Sequence, residues 1–386
     1  MRDFELEKHF SKWEFAARHH MTASDAESMS VEDLLQLAGP EARDDLLGSW
    51  LGYTETRGAP DLRTAIASTY DVCAPDDIQC FVGIEEGIYA AMRVLLSPQD
   101  HAIVVVPNYQ AAETVPLDIC AVTGVPLHAD AGWQLDLDAL RKAIRPNTKL
   151  VSVNFPNNPT GAIPDRATFE ALIEICRTHG IWLFSDEVYR LLEIDAGKRL
   201  PQAADVYEKG ISVNVMSKAY GMPGLRIGWA ACRDAEVLAA LERYRHYLSI
   251  CSAGPAERLA VAALRVRDKI LQRNRALVKH NRDLLDRFFA DYPNLFEWRH
   301  PDGGCVAYPR YLGADGVEAF CTDIVESAGV LLLPASIYRS ELMQTPVDRF
   351  RIGMGRKGMA EGLQAMRSYL DRRHNSTAAG ATPHRA

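Results

Sequence analysis

Ser217-Lys218-Ala219-Tyr220-Gly221-Met222-Pro223-Gly224-Leu225-Arg226-Ile227-Gly228-Trp229 comes directly after the largely apolar run 211–216. The stretch carries one lysine, one arginine and four glycine or proline positions that force turns. A lysine at the exit of a buried strand is unusual, because an ammonium is costly to bury unless it is paired or neutralised. Lysines that chemistry keeps in such places form Schiff bases. From these residues alone a second reading stays open: strand, turn and strand, with Lys218 merely solvated.

The rest of the composition narrows the classes. With 386 residues, 47% of them hydrophobic and 24% charged, the chain has material for two domains and a sizeable core. The formal net charge of -8 and the lack of a basic cluster argue against a nucleic-acid partner. The start, Met-Arg-Asp-Phe-Glu-Leu-Glu-Lys, lacks the apolar core of a signal peptide, and no apolar run reaches the ~18 residues of a membrane span. The eight cysteines form no Cys-x-x-Cys pair, so neither a zinc nor a redox motif is expected and no metal site is assigned. Free thiols in a reducing cytoplasm are the expectation.

Along the chain, residues 4–20 read as an amphipathic helix with Phe4, Phe10, Trp13 and Phe15 as apolar members. Residues 22–28 are polar. Ser28 or Ser30 is placed to cap the helix that runs through 34–37. Short strands are expected at 80–82, 102–106, 148–155 and 181–184, the second apolar throughout, as in a parallel sheet covered on both faces. Gly83 stands between the first strand and an apolar helix through 96, where free N–H groups favour a phosphate. Residues 185–189, Ser-Asp-Glu-Val-Tyr, put an acid at the carboxyl end of a strand, the place where α/β sheets bind ligands. Residues 166–178 and 256–290 read as helical, 303–308 and 330–333 as strand-like, and 374–386 as a disordered tail. Residues 349–356 alternate arginine with apolar positions, a pattern that presents an arginine for a carboxylate clamp.

Taken together, Ser217-Lys218 ahead of Gly224-Leu225-Arg226-Ile227-Gly228-Trp229, the tetrapeptide Asn158-Pro159-Thr160-Gly161, Asp186 with Tyr189, and Tyr53 five residues before Gly58 resemble fold-type I pyridoxal-phosphate enzymes, the aminotransferase class I/II family. The resemblance spans roughly residues 50–355, and it implies a role for each matching residue. Lys218 is the Schiff-base lysine. Asp186 pairs with the pyridine N1, Tyr189 and Asn158 meet O3′, and Tyr109 stacks on the ring. Ile84 and Glu85 donate backbone N–H groups to the phosphate, which Arg226 and Ser217 also hold. Tyr53 reaches the phosphate of a neighbouring subunit in a homodimer, and Arg351 clamps the substrate α-carboxylate. The Asn158–Pro159 bond is a candidate cis peptide. Two departures stand out. Glu85 and Glu86 put acids beside a phosphate dianion, so their side chains are expected to turn away. Val215 stands where many relatives carry a phosphate-binding hydroxyl.

The resemblance further implies an α/β fold: a large domain, residues 46–275, with a mostly parallel seven-stranded sheet, and a small domain from 1–45 and 276–373. It implies a pyridoxal-phosphate enzyme acting at the α-carbon of an amino acid, first an aminotransferase. The alternative is a cyclase or an eliminating lyase on a basic amino acid such as hydroxyarginine, since residues 24–28 and 249–252 are loosely similar to the branch that includes capreomycidine synthase. Residues 22–28 hold two acids and three hydroxyl-bearing residues. Ser24, Asp25 and Glu27 are therefore candidates for contact with a basic substrate, against the plainer reading of helix-start residues. Some transcription regulators carry the same fold behind a DNA-binding domain, but the roughly fifty residues ahead of the first motif are not basic.

Overall fold

The computed structural model describes residues 1–380 in backbone and side chains through Arg373. Its centre is an eight-stranded sheet built from β1 (Ile78–Val82), β2 (His101–Val106), β3 (Ala121–His128), β4 (Gln134–Leu135), β5 (Thr148–Asn154), β6 (Trp182–Asp186), β7 (Gly210–Val215) and β8 (Ile227–Cys232). The spatial order is β1-β8-β7-β6-β5-β2-β3-β4. The five strands β7, β6, β5, β2 and β3 run parallel, β8 is antiparallel to both neighbours, and the two-residue β4 adds an antiparallel edge to the seven strands expected.

Alternation along these strands explains why the sheet is covered on both faces. Ile103, Val105, Val151, Val153 and Leu183 pack on one side, with Phe169, Leu172 and Cys176 of the helix Arg166–His179. Ala102, Leu150, Phe184, Ile211 and Val213 face the other, against Ile88, Ala91 and Met92 of a second helix. Each large side chain among these contributes about 1.5–3 kcal/mol when fully buried. A sheet with parallel strands and two covered faces leaves one natural place for a ligand, beyond the carboxyl ends of the strands.

Helices α1 (Glu5–Trp13) and α3 (Ile84–Leu95) line the cavity at those strand ends, while α2 (Val31–Ala38), α4 (Arg267–Asp291) and α5 (Met359–Gly380) contribute no lining residue. The first is shorter than the 4–20 span expected, and Phe15 lies beyond it, 95% exposed. Ser30 caps α2 by accepting from the Asp33 N–H at 3.0 Å, and Asp33 reciprocates. Asp25 and Glu27 take no part in that cap. At the other end, α5 carries the chain to Gly380, and residues 381–386 of the expected tail lie outside the described residues.

The segment between α1 and α2 is threaded through the molecule. His19–His20 pairs in parallel with Val330–Leu331. The Gly353 N–H donates to Met21 O at 2.8 Å and the Glu27 N–H to Gly355 O at 2.7 Å, while the Ala26 N–H donates to Lys218 O at 3.1 Å. Residues 21–27 are thus wedged between the turn after β7 and the strand Phe350–Gly353. A Cβ on Gly355 would collide with the Asp25 carbonyl. Gly355→Ala is therefore expected to lower stability by about 1–3 kcal/mol, as overpacking does, and to expose residues 14–28 to limited proteolysis. An unaltered melting temperature and cleavage pattern would show that the wedge is looser than described.

Candidate active site

A cavity of about 560 Å³ opens at the carboxyl ends of β5, β6 and β7. Each strand delivers a polar side chain there because its last residue or first turn passes the sheet edge. Asn154 ends β5, Asp186 ends β6, and Lys218 stands in the turn after β7.

Lys218 is half-buried, and desolvation pushes its ammonium pKa down; the Asp25 charge is the strongest opposing influence. Its Nζ donates to Ser24 Oγ at 2.8 Å and lies 6.0 Å from the centre of the Tyr189 ring. Burial lifts Asp186 to about 6, and its Oδ1 accepts the Val188 N–H at 3.1 Å. The Tyr189 hydroxyl, also buried, lies beside the Ser24 hydroxyl, which opposes the rise that burial gives its pKa, but it makes no well-aligned hydrogen bond among the described residues. Asn154 bridges the strand ends: its Nδ2 donates to Asp186 O at 3.0 Å and its Oδ1 accepts the Asn158 N–H at 2.7 Å. The Asn158–Pro159 bond is cis, as are Val106–Pro107 and Phe155–Pro156.

A second wall is shaped for an anion. Gly83, at φ 75°, ends β1 and starts the twelve-residue α3 without a side-chain cap, leaving the N–H groups of Ile84 and Glu85 at a helix N-terminus. A side chain at Gly83 would run into the Arg226 guanidinium, so only glycine lets that cation close on the turn. Ser217 and Val215 line the same cavity. Of the two acids expected to turn away, only Glu86 does, accepting the Val82 N–H at 2.6 Å. Glu85 faces the cavity, where burial raises it to about 7 and the Tyr109 hydroxyl offsets part of that rise. Tyr109 lines the cavity and packs on Phe4 of the N-terminal segment, with ring centres 5.4 Å apart.

Four of the expected residues sit differently. Arg351 is fully buried just behind the cavity wall. Its guanidinium donates to Thr22 O at 2.7 Å, Thr22 Oγ1 at 3.3 Å, Tyr338 Oη at 2.7 Å and Asn158 Oδ1 at 3.2 Å. Asp25 does line the cavity, but both its oxygens are engaged by Arg356, at 2.9 and 2.8 Å. A carboxylate already forked to an arginine has little left for a substrate guanidinium. Glu27 points elsewhere, to the Lys357 N–H at 2.8 Å. Tyr53 is 84% exposed and lies outside its own chain's cavity. Reading the sequence alone missed Asn154 and Tyr338, and it missed the cover formed by Phe4, Glu7, Phe10, Glu14 and His20.

These residues fit pyridoxal phosphate. The anion cradle at Gly83 suits a phosphate, the orphan Tyr189 hydroxyl suits a ring oxygen, and a buried carboxyl at Asp186 suits a protonated ring nitrogen. Similarity to known proteins agrees. The profile of the aminotransferase class I and II family matches residues 25–366, and the chain belongs to that family of pyridoxal-phosphate-dependent aminotransferases. Among curated proteins it is similar to the arginine–pyruvate transaminase AruH of Pseudomonas aeruginosa, 31% identical with 77% of each chain covered. It is also similar to the capreomycidine synthase of Streptomyces vinaceus, 28% identical over 81% of this chain and 79% of the relative. Among solved structures, a PLP-dependent aminotransferase from Streptococcus suis superposes with a TM-score of 0.89 at 30% identity, covering 96% of this chain and 98% of the other.

The raised Asp186 pKa yields a stability prediction. An acid whose pKa climbs from 3.8 to about 6 on folding opposes folding fully above pH 6, and the penalty fades as the pH falls toward 4. In cofactor-free protein, Asp186→Asn is expected to raise the melting temperature at pH 8 and to lose that advantage near pH 4. A difference that does not vary with pH would mean that the carboxyl is not desolvated.

Proposed function

We propose that this enzyme transaminates a basic amino acid of the arginine type, as a cytoplasmic homodimer. The carrying observation is the charge of the cavity. Asp25 is spent on Arg356, yet Glu7, Glu14 and Glu85 also line the space. Glu7 and Glu85 make no ion pair among the described residues, and the nearest cation candidate for Glu14 is His20, at 3.8 Å. Burial lowers His20 to about 4, so it is neutral near pH 7. A cationic side chain entering between α1 and α3 meets the exposed Glu7, Glu14 in the field of Arg356, and Glu85, which a cation would draw toward its charged form. The likeness to an arginine–pyruvate transaminase supports the same substrate class.

Each residue takes its role from its place. Arg226, Ser217 and the N–H groups of Ile84 and Glu85 hold the cofactor phosphate, and the exposed Tyr53 reaches that of the partner subunit. Tyr109 covers the ring. Asp186 holds the ring nitrogen, and Asn158 and Tyr189 hold its hydroxyl oxygen. When bound, the cofactor supplies the electron sink that stabilises negative charge at the substrate α-carbon. Lys218 anchors the cofactor and then, as a free amine of lowered pKa, takes the α-proton and returns it one carbon away. Arg351 binds the α-carboxylate, which replaces part of its present set of neutral acceptors. Residues 1–45 and 276–373 act as the smaller body against 46–275. The eight free cysteines accord with a reducing compartment, and no helix among the described residues is long and apolar enough to cross a membrane.

The likeness to capreomycidine synthase favours a second reading, cyclisation of a hydroxylated arginine. One experiment separates the two. Holoenzyme is incubated with a panel of amino acids without any 2-oxo acid and monitored by mass spectrometry. Transamination gives one equivalent of oxo acid and an aminated cofactor; cyclisation gives continuous product. L-Arginine is expected to react by the first route, and borohydride to fix the cofactor on Lys218. Glu7→Gln is expected to raise KM for L-arginine roughly two- to five-fold, the value of one exposed charge contact, and to leave L-alanine unaffected. Equal effects on both amino acids would refute the charge argument.

A further inference from the structure

We infer that Ser24 is the positioning residue for Lys218: its hydroxyl receives the lysine amine whenever that amine is not bonded to the cofactor or substrate, and aims its lone pair into the cavity. The inference rests on the proposed role of Lys218 as the base. It goes beyond that role by assigning the group that orients the base.

The geometry starts from the bond itself. Lys218 Nζ donates to Ser24 Oγ at 2.8 Å, the one hydrogen bond that this amine makes among the described residues. A neutral amine has two N–H bonds and a lone pair in tetrahedral array, so committing one N–H to a fixed acceptor restricts where the lone pair points. An unguided lysine head sits on a flexible four-carbon stem and loses the geometry that proton transfer needs. Ser24 is a fixed acceptor because its segment is fixed. Two residues on, the Ala26 N–H donates to Lys218 O at 3.1 Å, so backbone and side chain of the lysine are both tied to residues 24–26. The Asp25–Arg356 fork holds the segment from the other side.

Other groups in reach of the amine serve it less well. The Tyr189 hydroxyl is claimed by the cofactor in the proposed reaction, and the Asp25 carboxylate is claimed by Arg356. A carboxylate bonded directly to the amine would also hold it as ammonium and remove its basicity. A hydroxyl orients without doing so. During the transfer the α-C–H bond breaks and the amine lone pair forms the new N–H bond. The electron pair left on carbon passes to the cofactor. The resulting ammonium donates to Ser24 Oγ until it gives the proton back, and Ser24 itself neither gains nor loses a proton.

The test uses holoenzyme in D2O and tracks loss of the α-proton signal of L-arginine and of L-alanine by NMR, across pH. Ser24→Ala is expected to slow exchange by about 10²-fold, the usual cost of misplacing a reacting group, with KM within about two-fold of wild type. Removing an acceptor that steadies the ammonium lowers its pKa, so the acidic limb of the rate profile moves to lower pH. Ser24→Thr, which keeps the hydroxyl, restores most of the rate and the profile. All three proteins should still take borohydride label at Lys218. Wild-type exchange with an unchanged rate and profile in Ser24→Ala overturns the role of Ser24 alone. So does a loss that Thr fails to rescue. A wild type that exchanges neither α-proton overturns the proposed reaction, and this inference with it.

Discussion

The structure depends on desolvating a single half-buried amine in the turn after a parallel strand. Left charged and unpaired, Lys218 would cost several kcal/mol. The fold answers by desolvating it, which favours the neutral form, and by keeping a limited counter-charge nearby in Asp25 and Asp186. Neither carboxylate bonds the amine directly. Asp186 bonds the Val188 N–H, and Asp25 is turned onto Arg356. The consequence is an amine whose ammonium form is disfavoured and whose one hydrogen bond among the described residues goes to a hydroxyl.

How much of this was legible in the sequence depends on how local each feature is. Strands β2, β5, β6 and β7 announce themselves as apolar runs because both of their faces are buried, and the residues at their carboxyl ends inherit their position from the strand. Asp186 and Lys218 stand where such strand ends put them, whereas Tyr189, Asn158 and Arg226 drew their expected roles from short motifs shared with the family, each confined to a turn of a few residues. The extent of α1 was not. Phe15 continues the apolar pattern, but the chain leaves the helix after Trp13 to meet the edge at Val330. A tertiary pairing overrode a local propensity.

The same distinction explains the misplaced acids. Asp25 and Glu27 sit in a polar stretch that fits either a helix start or a substrate contact. Their true partners, Arg356 and the Lys357 N–H, lie about 330 residues away in sequence. No spacing rule reaches that far. Glu7 and Glu14 were hidden for the opposite reason: on an amphipathic helix charged residues normally mark the solvated face, and only the docking of α1 over the strand ends turns them toward a cavity.

That docking sets the N-terminal segment against both the arginine and the lysine. Thr22 supplies two acceptors to the Arg351 guanidinium, and Ser24 supplies one to Lys218, with a single residue between them. Asn158, which also accepts from Arg351, lines the cavity where substrate must lie. A carboxylate that enters and pairs with Arg351 competes with the Thr22 and Asn158 oxygens, because an arginine has five N–H bonds and four contacts already draw on them. The Arg351 guanidinium and the Lys218 amine are therefore both held by one short segment, residues 22–24, whose position is set by contacts with the turn after β7 and the strand Phe350–Gly353.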